Sequence, residues 1–97
     1  MKPYLLVEFK DGSTWKIPVR RIALDRAEAH KEEFGGDVVR SLAEDTEPLF
    51  TADPEQVIDW FLGNMEWGDV ENAAVCVVQP TPPNYAKWVY TAKVRVE

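Results

Sequence analysis

Apolar and polar residues alternate with a period of two at both ends of this chain and with a period near 3.6 in between. Tyr4 to Phe9 and Thr14 to Val19 are β-rich runs. Leu5, Val7 and Phe9 share one side of the first, and Trp15, Ile17 and Val19 one side of the second. Lys10-Asp11-Gly12-Ser13 between them predicts a tight hairpin, because glycine supplies the positive φ such a turn needs. Pro18 has no ladder donor, which predicts a strand end at an edge or beside an exit. From about Arg20 to Phe34 the spacing of Ala23, Ala27, His30 and Phe34 predicts an amphipathic helix, ended by Gly35-Gly36 in a left-handed cap. Asp37 caps a second helix with Val38, Val39 and Leu42 inward, expected to stop before Pro48 because a residue preceding proline is pushed out of the α region. Asp53-Pro54-Glu55-Gln56 is a helix start, with Asp53 as N-cap and Gln56 closing a capping box. Val57, Ile58, Phe61, Leu62 and Met65 then form its apolar stripe, which loosens at Gly63 and Asn64. Trp67 to Val70 reads as a short turn or helical cap.

Ala73 to Gln79 predicts a third strand, apolar on both faces and so expected to be central. Pro80 to Asn84 is a stiff loop. In the fourth strand Trp88, Tyr90, Ala92, Val94 and Val96 alternate with polar or solvent-side residues. The order ββααββ predicts one α+β domain over residues 1–97, an antiparallel sheet of about four strands with helices packed on one face.

Composition adds little to this picture until charge is placed along it. The 97 residues are 45% hydrophobic and 29% charged, ordinary for a folded domain, and four tryptophans enlarge a modest core. Between Asp37 and Glu71, however, ten Asp or Glu residues accompany a single basic one, Arg40, a local balance of 1 − 10 = −9. The remainder carries ten Lys or Arg against seven acids, +3, and the two sum to the overall −6. A one-sign field over a third of a small domain selects which partners approach it. No apolar run nears the roughly 18 residues of a membrane span, and Glu8 interrupts any signal-peptide core. The lone Cys76, flanked by valines, excludes an internal disulfide and suggests a buried thiol in a reducing compartment, so the expected setting is cytoplasmic.

Three phrases carry a resemblance. They are Asp11-Gly12-Ser13-Thr14-Trp15-Lys16-Ile17-Pro18-Val19 with Ile22-Ala23 and Arg26-Ala27; Ser41-Leu42-Ala43-Glu44-Asp45-Thr46-Glu47-Pro48-Leu49-Phe50; and Asp59-Trp60 with Asn64-Met65-Glu66-Trp67-Gly68-Asp69-Val70. In this order and spacing, over residues 11–74, the chain resembles a group of small phage and prophage proteins. The resemblance implies a biological setting and no catalytic residues. Gly63-Asn64-Met65-Glu66 departs from the more Asn-rich stretch of that group, and the C-terminal strands take no part in the likeness.

Candidate chemistry is sparse. His30 and Cys76 are single and fall in different elements, so a nucleophile–base pair would need the fold to unite them. His30 and Glu33 stand at i, i+3, a spacing two metal ligands on one helix can use, but a transition-metal site usually requires two more. The Asp45-Thr46-Glu47 and Glu66 to Asp69 clusters offer oxygens to Mg2+ or Ca2+ without EF-hand spacing, and no acid is singled out for glycosidase chemistry. Gly35-Gly36 is not followed by a phosphate-binding Lys-Ser or Lys-Thr pair, and no Gly-x-Gly-x-x-Gly occurs. Arg20, Arg21, Arg26 and Lys31 form a small basic patch, but Asp25, Glu28, Glu32 and Glu33 interleave with it, against direct nucleic-acid binding. No cofactor or metal is therefore expected.

Two features remain. The acidic block is either a solvated surface or a recognition surface for a basic partner. Trp60 falls about 60° from Val57 on the flank of its helix stripe, placed for core-edge packing or as an interface anchor. The expected function is a non-enzymatic accessory protein that binds a partner protein with a basic surface. Glu44, Asp45, Glu47, Asp59, Glu66 and Asp69 would steer the encounter, and Trp60 and Trp67 would supply buried area. An assembly component joined through the edge of the fourth strand is the alternative, and DNA mimicry by a regular carboxylate row is a third reading. Partner and oligomeric state are not legible in the residues.

Overall fold

The computed structural model describes residues 1–78 and 93–96, and the chain within it opens on the expected hairpin. Strands β1 (Tyr4–Glu8) and β2 (Thr14–Pro18) pair antiparallel, with Leu5 opposite Ile17 and Val7 opposite Trp15. The turn closes through Gly12, at φ 89°, and through Asp11, whose Oδ1 accepts from the backbone N–H and hydroxyl of Ser13 at 2.9 and 2.6 Å. Pro18 ends β2 where helix α1 (Val19–Ala29) leaves the sheet. Strand β3 (Val75–Val78) pairs with β2, and β4 (Lys93–Val96) pairs with β1. The sheet is antiparallel throughout, in the order β3-β2-β1-β4.

The helices pack against the sheet's Leu5, Val7 and Ile17 side. There Val19, Ile22, Ala23 and Ala27 of α1 join Leu42, Phe50, Val57 and Phe61 in one buried cluster. The result is an α+β domain, as the alternating and helical periods predict. Its helical part divides more finely than a pair of helices. After α1 comes a 3-10 turn (Lys31–Phe34), closed by Gly35 and Gly36 at φ 67° and 85° as expected of a left-handed cap. Asp37 then caps α2 (Val38–Ser41), its Oδ1 accepting the Arg40 N–H at 3.2 Å.

The helix does not stop before Pro48. It continues through a π turn (Leu42–Thr46) into α3 (Glu47–Ala52), with Pro48 in the first turn of α3. The wider turn explains the escape. Glu47 N–H bonds the Leu42 carbonyl five residues back, and Pro48 then enters where its missing N–H and its ring meet no regular i−4 partner. Phe50, beyond the expected stop, is completely buried as a consequence. Val39, expected inward, is 74% exposed, since α2 is too short to bury both valines.

Helix α4 (Glu55–Asn64) and the short α5 (Trp67–Val70) follow. Asp53 accepts the Glu55 N–H at 3.2 Å, and the Gln56 side-chain amide reaches the Asp53 carboxylate rather than its backbone. β3 is an edge strand among the described residues, not a central one, with Val75 60% and Val77 48% exposed. Cys76 is half-buried rather than enclosed. The expected Pro80–Asn84 loop and the Trp88 to Ala92 part of the fourth strand lie outside the described residues, while Val94 and Val96 pack on the core. Among the described residues no helix is long and apolar enough to cross a membrane.

Candidate functional site

Helix α4 stands as a ridge because its inward residues recur every four positions. Val57 and Phe61 are buried within it, and Met65 just past its end. The opposite face therefore turns out Glu55, Asp59, Leu62 and Gly63. Leu62, which the sequence pattern assigns to the apolar stripe, is instead 62% exposed and stands beyond the Glu55–Asp59 pair at the i, i+4, i+7 spacing. Glu55 and Leu62 were not among the expected site residues. Their signal was this spacing, masked because a leucine beside a core stripe reads as core.

A groove runs along each flank of the ridge. One, of about 210 Å3, is lined by Arg26, His30, Leu49, Gln56, Asp59, Trp60 and Asn64. Trp60 is half-buried there. Its Nε1 donates to Asp25 Oδ2 at 2.9 Å, the His30 ring lies 5.7 Å away, and the Arg26 guanidinium lies 5.8 Å from its ring centroid. The other groove, of about 270 Å3, is lined by Val7, Phe9, Phe61, Leu62, Met65, Glu66, Trp67 and Val94. In it Trp67 meets Phe9 and Trp15 edge-on, at 5.0 and 5.5 Å between ring centroids. The two tryptophans thus occupy separate grooves and do not form one exposed aromatic pair.

The expected acidic residues fall in two places. Asp59 and Glu66 are exposed on and just beyond α4, with Asp69 on α5. Glu44, Asp45 and Glu47 lie on the stretch formed by the π turn and the start of α3. Asp45 is committed to Arg26 of α1 at 2.8 Å, and the same Arg26 nitrogen bonds the buried Thr46 hydroxyl at 2.9 Å. Glu44 pairs with Arg40 at 2.8 Å, and that hydrogen bond, with the Glu44 charge, raises the Arg40 pKa above its ordinary value.

Of the ten acids in the block, only these two form ion pairs among the described residues. Asp37, Asp53 and Asp69 instead accept backbone N–H groups at helix starts. Among the described residues the flanking strands make no ion pair with the block, and Glu55, Asp59, Glu66 and Glu71 are exposed.

Asp69 has a structural duty of its own. Its Oδ2 accepts the Glu66 N–H at 2.8 Å while the Glu66 carboxylate accepts the Asp69 N–H, a reciprocal capping box that sets α5 and hence Trp67. Asp69→Ala is expected to cost about 1 kcal/mol in a urea titration, as loss of a helix cap does.

Comparison with protein-family models, curated proteins and solved structures gives no match to this chain.

Proposed function

We propose that this chain is a non-enzymatic accessory module that binds a partner protein with a basic surface through the α4 ridge. The resemblance of residues 11–74 to small phage and prophage proteins suggests the host-cell cytoplasm as its setting. One observation carries the reading. An exposed leucine shares the outer face of α4 with two carboxylates that have no Lys or Arg partner among the described residues, with a groove on either side.

Such a face has two parts with different duties. The net charge of −6, concentrated around the helices, accelerates encounter with a cationic surface. Leu62 and the groove walls containing Trp60 and Trp67 supply the apolar contact that holds the encounter complex. DNA mimicry draws less support: Leu62 interrupts the acidic row on α4, and Glu44 and Asp45 are already paired.

The test is affinity capture of the partner from host lysate, followed by titration of the purified pair at low and moderate salt. Glu55→Lys with Asp59→Lys is expected to weaken binding about tenfold or more, roughly 1.4 kcal/mol, with a reduced salt dependence. Glu44→Lys, on a different element, should change it little. A partner whose affinity ignores both salt and the α4 reversals would refute the assignment.

A further inference from the structure

We propose that His30, Glu33 and Asp45 form a binding site for a divalent transition-metal ion of the zinc class. This proposal is independent of the α4 reading. The three residues come from the C-cap of α1, the 3-10 turn and, beyond α2, the π turn, and one donor atom from each lies within 4.8 Å of the other two.

The spacing already suits an ion. His30 Nδ1 and Glu33 Oε2 are 3.0 Å apart. Two donors each about 2.1 Å from one metal stand about 3.0–3.4 Å apart in octahedral or tetrahedral coordination. An ion therefore fits between Nδ1 and the Glu33 carboxylate in place of their hydrogen bond, with His30 ligating through Nδ1 and carrying its N–H on Nε2. Asp45 completes the set by a side-chain swing of roughly 1–1.5 Å, set by the same donor separations.

The donor set points to the class of metal. One imidazole nitrogen with two carboxylates suits zinc and its neighbours, whereas Mg2+ and Ca2+ prefer all-oxygen shells. His30 also lines the open groove of about 210 Å3, which leaves room for water in the remaining coordination positions.

Arg26 sets the limit on affinity. Its guanidinium holds Asp45 Oδ2 at 2.8 Å and is anchored a second time by the Thr46 hydroxyl, so a metal must share the Asp45 carboxylate with it. Two carboxylates and one guanidinium give the cluster a charge of −2 + 1 = −1, enough to attract a dication but less than an unopposed pair of acids. Micromolar rather than nanomolar binding is expected.

The chain has a single histidine, so its imidazole NMR signals are unambiguous reporters. Titration of the whole chain with zinc sulfate, followed by these signals and by calorimetry, is expected to show saturable 1:1 binding at Nδ1. Glu33→Gln, at a largely exposed position, and Asp45→Asn should each weaken it tenfold or more, His30→Gln should abolish it, and Cys76→Ser should leave it unchanged. Circular dichroism of each variant separates lost ligation from lost fold. Absence of saturable binding below millimolar zinc, loss of binding in Cys76→Ser, or wild-type binding in folded Glu33→Gln and Asp45→Asn would each overturn the site.

Discussion

Phe50→Ala is expected to remove a large share of the stability of this domain. Phe50 is fully buried in the cluster that joins β1, β2, α1 and α4, and truncating a core phenylalanine costs about 3–5 kcal/mol through lost transfer energy and the cavity left behind. A chain of 97 residues has a total stability of about 5–15 kcal/mol. The melting midpoint should therefore fall by about 15–25 °C, or the variant should be unfolded at room temperature. Leu62→Ala is the matched comparison, because at 62% exposure it should change stability by less than about 0.5 kcal/mol. Calorimetry of the two variants checks this. Equal, small losses would mean that α3 is not docked as described.

The same residue shows where sequence reasoning reached its limit. The hairpin, the Gly35-Gly36 cap and the helix begun near Asp53 follow from rules that act within a few residues, and all were legible. Phe50 was not, because the rule that halts a helix before proline assumes regular i→i−4 bonding throughout. A single π turn suspends that rule, and whether a chain adopts one depends on what its side chains meet across the fold. Here Asp45 and Thr46, adjacent in sequence, both reach one nitrogen of Arg26. The edge position of β3 was illegible for a related reason. Val75 to Val78 is apolar on both faces in sequence, yet it takes the free edge of β2, whose other side β1 already occupies.

The candidate site was read in fragments. The segregation of charge was plain in the residues, and the structure leaves most of those acids without a cationic partner among the described residues. Which of them share a face was not plain. Asp59 and Trp60 lie on one flank of α4, Glu66 and Trp67 lie beyond its end in the other groove, and Asp45 turns toward α1. That displacement places it beside His30 and Glu33, whose i, i+3 spacing had lacked a third ligand.

Arg26→Leu is expected to lower stability by about 2 kcal/mol while strengthening zinc binding, two effects of opposite sign from one substitution. Stability falls because the Thr46 hydroxyl, with no exposed surface, loses its donor, at a cost of about 1–3 kcal/mol. The ion pair adds less than about 1 kcal/mol, since Asp45 is one-third exposed and water screens it. Leucine keeps apolar bulk beside Trp60, so the loss reports the polar contacts rather than a cavity. Zinc binding strengthens because the guanidinium that competes for Asp45 is gone and the cluster charge falls from −1 to −2. Urea titration and zinc calorimetry on the same sample read both quantities. Unchanged stability would mean that Arg26 does not hold the π turn to α1, and weaker zinc binding would mean that Asp45 serves only as the partner of Arg26. The double variant Arg26→Leu with Asp45→Asn then measures the coupling directly, expected at about 1 kcal/mol for two groups in one hydrogen-bonded network.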